Sequence, residues 1–445
     1  MDNIVIVGAG LVGSLQAILF AKQGHNVAVY ERRPDMRSAE IVAGRSINLA
    51  LSDRGWKALR LAGVEEAIME MAIPMKGRMM HAVDGSLTFQ PYGKEGQAIY
   101  SVSRGGLNAK LMDEAEKYEN VQFHFNQRCA DIDLEKNVLQ LEHTATGAQS
   151  TVKADRIIGT DGAFSAVRAR LQKTDRFNYS QFYLEHGYKE LVIPPDANGA
   201  HQLDKNALHI WPRGEYMLIA LANLDGSFTC TLFFPFEGKR SFSSLQSEKE
   251  VVDFFKEVFP DALELMPTLK TDYFENPTSS LVTIRCTPWN VSDKILLMGD
   301  ASHAIVPFYG QGMNSGFEDC SVLNELMVQY SGDWEKVFNA FSDQRKADAD
   351  AISELALQNF IEMRDLVADE QFLLRKKIEK RVSELYPDKW IPLYSQVTFT
   401  HIPYAEALAA GKKQRAIMDE IMKLENIEQR WDSPEIATQI IAALK

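Results

Sequence analysis

Residues 4–7 are four consecutive apolar positions that run straight into Gly8, and beyond the turn apolar residues recur at helical spacing over 11–23. Gly24 stops that run and 26–30 is apolar again, so residues 3–31 predict a strand, a glycine turn, a helix and a second strand. Residues 75–100 break into short polar–apolar alternation punctuated by Gly77, Gly85 and Gly93, which predicts small strands leaving that first unit. A helix over 104–120 follows, then an antiparallel meander over 121–156 and a buried strand over 156–159 that ends at Asp161-Gly162. Strands such as 208–211, 217–222 and 228–234 dominate from 181 to about 282, predicting a sheet-rich second domain inserted into the first. Residues 294–300 predict another buried strand, 314 onward a helix, and 333–445 an almost wholly helical region whose last helix opens at Ser433-Pro434-Glu435.

At 445 residues the chain is too long for one core, and about 150 residues per domain suggests two or three. The net charge of -13 is spread along the chain without a basic run, which argues against a nucleic-acid partner. Cys129, Cys230, Cys286 and Cys320 are far apart and form no Cys/His cluster, so neither a disulfide framework nor a metal site is expected, and a reducing cytoplasm fits. No export signal precedes the first strand, and the apolar stretches fall far short of the roughly 20 residues a membrane span needs.

Gly8-Ala9-Gly10-Leu11-Val12-Gly13 has the G-x-G-x-x-G spacing between a strand and a helix. There Gly8 permits the tight turn, Gly10 lets the backbone approach a pyrophosphate, and Gly13 lets the helix pack closely on the strand. Glu31 ends the second strand where an acid for a ribose hydroxyl belongs, with Arg32 beside it. These features suit NAD and FAD alike. Met298-Gly299-Asp300-Ala301, followed by Pro307 and by Gly310 and Gly312 before a helix, favours the longer cofactor: Asp300 for a ribityl hydroxyl, and the helix start at Gly312, Met313 and Asn314 for the electron-rich end of a flavin. An Asp that only caps the following turn is the competing reading.

With 8–13, Asp161-Gly162 and Gly299-Asp300 in that order, the chain resembles the single-component flavin monooxygenases of the para-hydroxybenzoate hydroxylase-like fold. Closer still, residues 44–51 (Gly-Arg-Ser-Ile-Asn-Leu-Ala-Leu), Gly77-Arg78-Met79, Gln90-Pro91-Tyr92-Gly93, His186-Gly187-Tyr188-Lys189-Glu190 and residues 307–314 (Pro-Phe-Tyr-Gly-Gln-Gly-Met-Asn) resemble the kynurenine 3-monooxygenase family, from the first strand to Phe399. The resemblance implies an α/β fold. A discontinuous FAD-binding Rossmann-like (GR2-type) domain (1–74, 98–180, 283–332) would be interleaved with a β-sheet-rich substrate domain (75–97, 181–282) and followed by a helical region (333–445). It implies tightly bound FAD, with Asp161, Arg104, Leu107 and Arg45 among its contacts, and Arg78 and Tyr92 on a substrate carboxylate. A carboxylate beside a flavin calls for a charge-assisted, forked donor, which Arg supplies.

The same resemblance brings Asn359 and Tyr394 to the substrate, with Leu208, Met217, Ile219, Phe233, Phe308 and Met363 lining the ring pocket. For Asn359 and Tyr394 a structural role is an equal reading, and for the apolar residues core packing is a strong rival. Tyr309 stands where some relatives have His. The activity implied is hydroxylation of L-kynurenine to 3-hydroxykynurenine. NADPH would reduce FAD, dioxygen would add to give a flavin hydroperoxide, and no dedicated catalytic side chain would be needed because the cofactor carries the hard step. No second glycine fingerprint serves NADPH, which suggests a transient encounter. A related hydroxylase of a phenolic acid, or a flavoprotein reductase without oxygen insertion, are the alternatives. Eukaryotic relatives carry a membrane segment at the carboxyl end, whereas 436–445 is too short and polar to span, so a soluble cytoplasmic enzyme is expected, with a homodimer left open.

Overall fold

The computed structural model describes residues 1–38, 47–93, 96–363 and 369–444. Arg45 lies outside the described residues.

The first strand, Asn3–Val7, is buried along its apolar run, Ile4 to Val7 being at most 4% exposed, as a central parallel strand must be when both faces are covered. It pairs in parallel with Asn26–Tyr30 on one side and Arg156–Gly159 on the other. The complete sheet has six strands in the order Asn290–Val291, Ile295–Leu297, Arg156–Gly159, Asn3–Val7, Asn26–Tyr30, Val121–His124. Val121–His124 is therefore not part of the meander expected over 121–156: it pairs in parallel with Asn26–Tyr30, and only Gln127–Asp133, Val138–His143 and Gln149–Lys153 form the antiparallel ribbon. Helix Leu11–Lys22 covers the main sheet, and the Arg104–Ala115 helix packs on it, ending five residues before the expected 120.

The second sheet has seven strands in the order Ser279–Thr287, Asn178–Ile193, Phe228–Pro235, Met217–Ala222, Ala207–Pro212, Gly77–His81, Leu87–Pro91. All neighbours are antiparallel except Ala207–Pro212 with Gly77–His81. Both faces of its central strands are buried. Trp211, Leu218, Leu232 and Phe234 pack behind it against Phe254, Phe255 and Phe259. Met80, Ile210, Met217 and Phe233 face forward to Phe308, Ile352, Phe360 and Tyr404. The rear layer consists of helices Glu248–Val258, Pro260–Glu264 and Leu269–Glu275, inside the stretch the pattern marked as sheet-rich. A capping box between Ser247 and Glu250 starts the first, and Pro260 sits at the start of the second.

Near 300 the strand is only Ile295–Leu297. Gly299, at φ +59°, turns the chain so that Asp300 opens the short helix Asp300–His303. The next long helix, Gly312–Gln329, starts two residues earlier than expected. The carboxyl-terminal helices, Trp334–Ile361 through Pro434–Ala443, lie against the front of the second sheet and against one another. Among the described residues no helix is long and apolar enough to cross a membrane.

A buried ion network fastens these layers together. Arg345 donates to Glu318 and Asp319 at 2.8 Å each and reaches Asp348 at 3.3 Å. Arg54 pairs with Glu318, donates to the carbonyls of Val397 (3.1 Å) and Ile402, and stacks on Tyr404, 3.9 Å from its ring centre.

Candidate active site

The glycine turn is built by contacts that leave no alternative residue. Gly8 has φ +104°, and a Cβ there would stand 2.7 Å from the Thr160 carbonyl oxygen. A Cβ on Gly13 would stand 2.1 Å from the Gly8 carbonyl oxygen. A Cβ on Gly10 would meet nothing within 4 Å, because Gly10 faces a cavity. The turn is clamped from outside: Ala9 N–H donates to Glu31 at 2.9 Å, Asn108 Nδ2 donates to the Ala9 carbonyl at 3.0 Å, and Thr160 Oγ1 donates to the carbonyl of Val7 or Gly8, 3.0 Å away.

The cavity measures about 630 Å³ and runs past both domains. At one end lie Glu31, Arg32, Arg33, Gln127, Arg128 and Cys129; in the middle Gly8, Gly10, Arg104 and Asp161; then Asp300, Pro307 to Gly310, Gly312 and Met313. The helix beginning at Leu11 has no side-chain cap, so its first N–H groups are available to an anion, and so are those of the helix beginning at Gly312. Open space at Gly10, two uncapped helix starts and exposed Arg104 and Asp300 on the wall fit an elongated dinucleotide such as FAD.

Two of the expected acids have partners within the protein. Burial pushes Glu31 up, but hydrogen bonds from Arg33 and Ala9 outweigh it and hold the carboxylate low, with one oxygen on Ala9 N–H and the other on Arg33. Asp161 lines the cavity while its carboxyl accepts from the Ser165 hydroxyl and from the N–H of Ala166 and Val167, capping the helix Ala166–Leu171. Leu107 is fully buried in the first core. Asn314 is likewise buried, accepting from Ser52 N–H at 2.9 Å and donating to the carbonyls of Ala50 and Gly310 at 2.8 Å each, so it shapes the loop before Gly312 instead of lining the cavity.

At the far end Arg78 lines the cavity from the forward face of the second sheet. Its guanidinium lies 4.8 Å from the Tyr394 ring centre and 5.5 Å from that of Tyr92, and its Nε has no hydrogen-bond partner among the described residues. The Tyr92 hydroxyl, which interacts with Arg78 and Tyr394, is raised by burial well above the ordinary tyrosine range, so it remains a donor. Tyr92, Tyr394 and Tyr309 stack in series, with ring centres 5.3 and 5.6 Å apart. Leu208, Met217, Ile219, Phe233, Phe308, Met363 and Tyr394 line the same end, whereas Tyr92 stands just behind Tyr394. Asn359 does not line the cavity: its amide donates to the Phe308 carbonyl at 2.7 Å and contacts the Met363 sulfur, fixing two wall residues from behind.

Several contributors carry no sequence signal. Gln127, Arg128 and Cys129 belong to the antiparallel ribbon, Thr231 points forward from mid-strand, and Asn108 and Thr160 hold backbone carbonyls distant in sequence. Tyr188 lies within a motif of the resemblance, but nothing there marked it as a wall residue.

A family model described as FAD binding domain matches residues 2–355. The chain is similar to a protein named kynurenine 3-monooxygenase from Flavobacterium johnsoniae, 56% identical over 443 residues, covering 100% of this chain and 99% of the relative. A protein of the same name from Dictyostelium discoideum is 48% identical over 94% of this chain and 93% of its own length. Among solved structures, tetrameric 2-methyl-3-hydroxypyridine-5-carboxylic acid oxygenase matches 82% of this chain and 94% of its own, with TM-score 0.67 and 18% identity. Pseudomonas aeruginosa PqsL in complex with 2-aminobenzoylacetate matches with TM-score 0.65 and 16% identity over 82% and 97%. At these identities the two structures speak for the fold alone.

Proposed function

Because this chain belongs to the kynurenine 3-monooxygenase family of FAD-binding aromatic hydroxylases, we propose that it hydroxylates L-kynurenine to 3-hydroxykynurenine with NADPH and dioxygen as co-substrates. The observation that carries the substrate assignment is Arg78, a cation on the wall of the FAD cavity whose nearest electrostatic partners among the described residues are two tyrosine hydroxyls and no acid. A guanidinium held there without an anion is a site for one, and an amino-acid carboxylate matches its fork.

When bound, FAD supplies hydride acceptance and oxygen activation. The chain's own residues do the rest. Arg78, packed on the rings of Tyr394 and Tyr92, holds the substrate's carboxylate end; Leu208, Met217, Ile219, Phe233, Phe308 and Met363 surround the aromatic ring and keep water from it. The ring's own amino group enriches the adjacent carbon, so the protein's task is position and dryness. Asn359, through Phe308 and Met363, fixes the wall opposite the sheet. We also propose the three-part division at 1–74, 98–180 and 283–332; 75–97 and 181–282; and 333–445. The four buried, unpaired cysteines fit a cytoplasmic location.

The test is product analysis with purified FAD-loaded protein, NADPH and air, comparing L-kynurenine, para-hydroxybenzoate and no substrate. The expected result is faster NADPH oxidation and a 3-hydroxylated product with L-kynurenine alone. NADPH oxidation indifferent to L-kynurenine, with no hydroxylated product, overturns the assignment; turnover of para-hydroxybenzoate alone transfers it to a phenolic substrate.

A further inference from the structure

Behind the sheet that carries Arg78 lies a polar chain in an otherwise aromatic layer. His81 and His209 are both 2% exposed, on the neighbouring parallel strands Gly77–His81 and Ala207–Pro212. His81 Nδ1 stands 2.7 Å from Asp261 Oδ2, His81 Nε2 stands 2.9 Å from His209 Nδ1, and His209 Nε2 stands 2.8 Å from the Asp204 carbonyl oxygen. Trp211 Nε1 donates to the same Asp261 oxygen at 2.9 Å.

The hydrogens can be counted. A carbonyl oxygen only accepts, so the third contact needs a proton on His209 Nε2. The Asp261 carboxyl is ionised: burial pushes it up, but hydrogen bonds from His81 and Trp211 outweigh that and hold it below the ordinary carboxylate range. The first contact therefore needs a proton on His81 Nδ1. The middle contact joins two ring nitrogens and needs one proton between them. Two neutral imidazoles carry one N–H each and cannot serve all three contacts.

We propose that His81 and His209 together carry three ring protons, one more than two neutral rings hold, and that this buried imidazolium makes His81 a positioning residue for Arg78 and hence for substrate binding. The second half rests on the assignment of Arg78 to the substrate carboxylate. The extra charge resides on His81, because burial lowers His209 to about 4 despite the upward pull of Asp204. His81 also lies flat on Trp211, ring centres 3.9 Å apart at 24°, the arrangement in which an indole face attracts a cation. The other charges facing the pair are Asp204, beside His209, and Arg213, which donates to the His81 carbonyl at 2.9 Å and to that of Val258 at 2.6 Å.

The link to Arg78 is register. Arg78 lies opposite Leu208 and Met79 opposite His209, so Arg78 and Leu208 face the cavity while His81 and His209 face the rear. The Gly77–His81 strand sits near the sheet margin, flanked outward only by Leu87–Pro91, and joins the rest through one parallel ladder. A slip of one residue would turn Arg78 out of the cavity. The Asp261–His81–His209 chain pins that ladder and ties it to the helix Pro260–Glu264.

Two measurements on the FAD-loaded enzyme test this. Nitrogen-15 NMR of histidine-labelled protein should show both ring nitrogens of His81 protonated and only Nε2 of His209. Two neutral rings would overturn the proton count whatever the substrate proves to be. Calorimetric titration of L-kynurenine, with steady-state kinetics, tests the link to Arg78. His81→Gln, whose single amide nitrogen cannot donate at both contacts, should weaken binding about tenfold and raise KM more than it lowers kcat, with FAD content unchanged. Unchanged affinity, or a loss carried by kcat and not by KM, overturns the positioning role. Intact NMR signatures with no kynurenine binding would instead overturn the substrate assignment.

Discussion

Arg78 and Gly13 act through opposite means, one by an unmet charge and the other by the lack of an atom. Arg78→Met keeps the bulk and removes the fork, so KM for L-kynurenine should rise, by roughly 2–5 kcal/mol of binding, with kcat much less affected in steady-state kinetics. An unchanged KM would take Arg78 out of the substrate site. Gly13→Ala brings a methyl within 2.1 Å of a backbone oxygen that cannot step aside, and the purified variant should be colourless or lose FAD on gel filtration. The glycines and Arg78 were legible in sequence because a glycine fingerprint and a motif mark them. For Asn359 the sequence left a substrate contact and a structural role equally open, and its amide is taken by the Phe308 carbonyl. The distinction depends on which way one side chain turns on a helix, which spacing does not encode. Asn108 and Thr160 leave no trace either, since each binds backbone about a hundred or more positions away.

Among the elements, the first strand–turn–helix–strand was readable because local pattern and tertiary role agree, whereas Val121–His124 was misassigned because an edge strand alternates alike in a ribbon and in a parallel sheet. The helix Gly312–Gln329 shows what pattern cannot supply: Glu318 and Asp319 are acids on a buried face, tolerable only because Arg54, Arg345 and His303 meet them there. Arg345→Met leaves those acids without their cation and should lower unfolding stability by about 3–5 kcal/mol in urea titration. The same network dictates an acid limb. Burial raises Asp319, but His303 and Arg345 outweigh it and hold the carboxyl below its ordinary value of 3.8. Its contribution to stability is therefore full above that value and drains as pH falls through the lower folded one. Unfolding free energy measured from pH 6 downward should fall less steeply in Asp319→Asn than in wild type.

In the whole molecule a single cavity draws walls from the first sheet, the second sheet and the carboxyl-terminal helices, so its occupant stabilises all three. FAD at a hundred times its dissociation constant should add about 2.7 kcal/mol and raise Tm in one cooperative calorimetric step. Two separate transitions, only one of them shifted, would mean that the layers unfold independently. The helical character of the carboxyl-terminal region was legible; its seat against the forward face of the second sheet was not, since that depends on Arg54 reaching the carbonyls of Val397 and Ile402 from far earlier in the chain. The strand order of the first sheet bears on how the protein is made. Arg156–Gly159 sits between Asn3–Val7 and Ile295–Leu297, and the whole second-sheet excursion is synthesised before that last neighbour emerges. At roughly 5–20 residues per second a ribosome needs about 7 to 30 s to cover that gap. Through that interval an apolar strand edge waits without a partner, so the nascent chain has reason to depend on a chaperone until the loop leading to Asp300 has been translated.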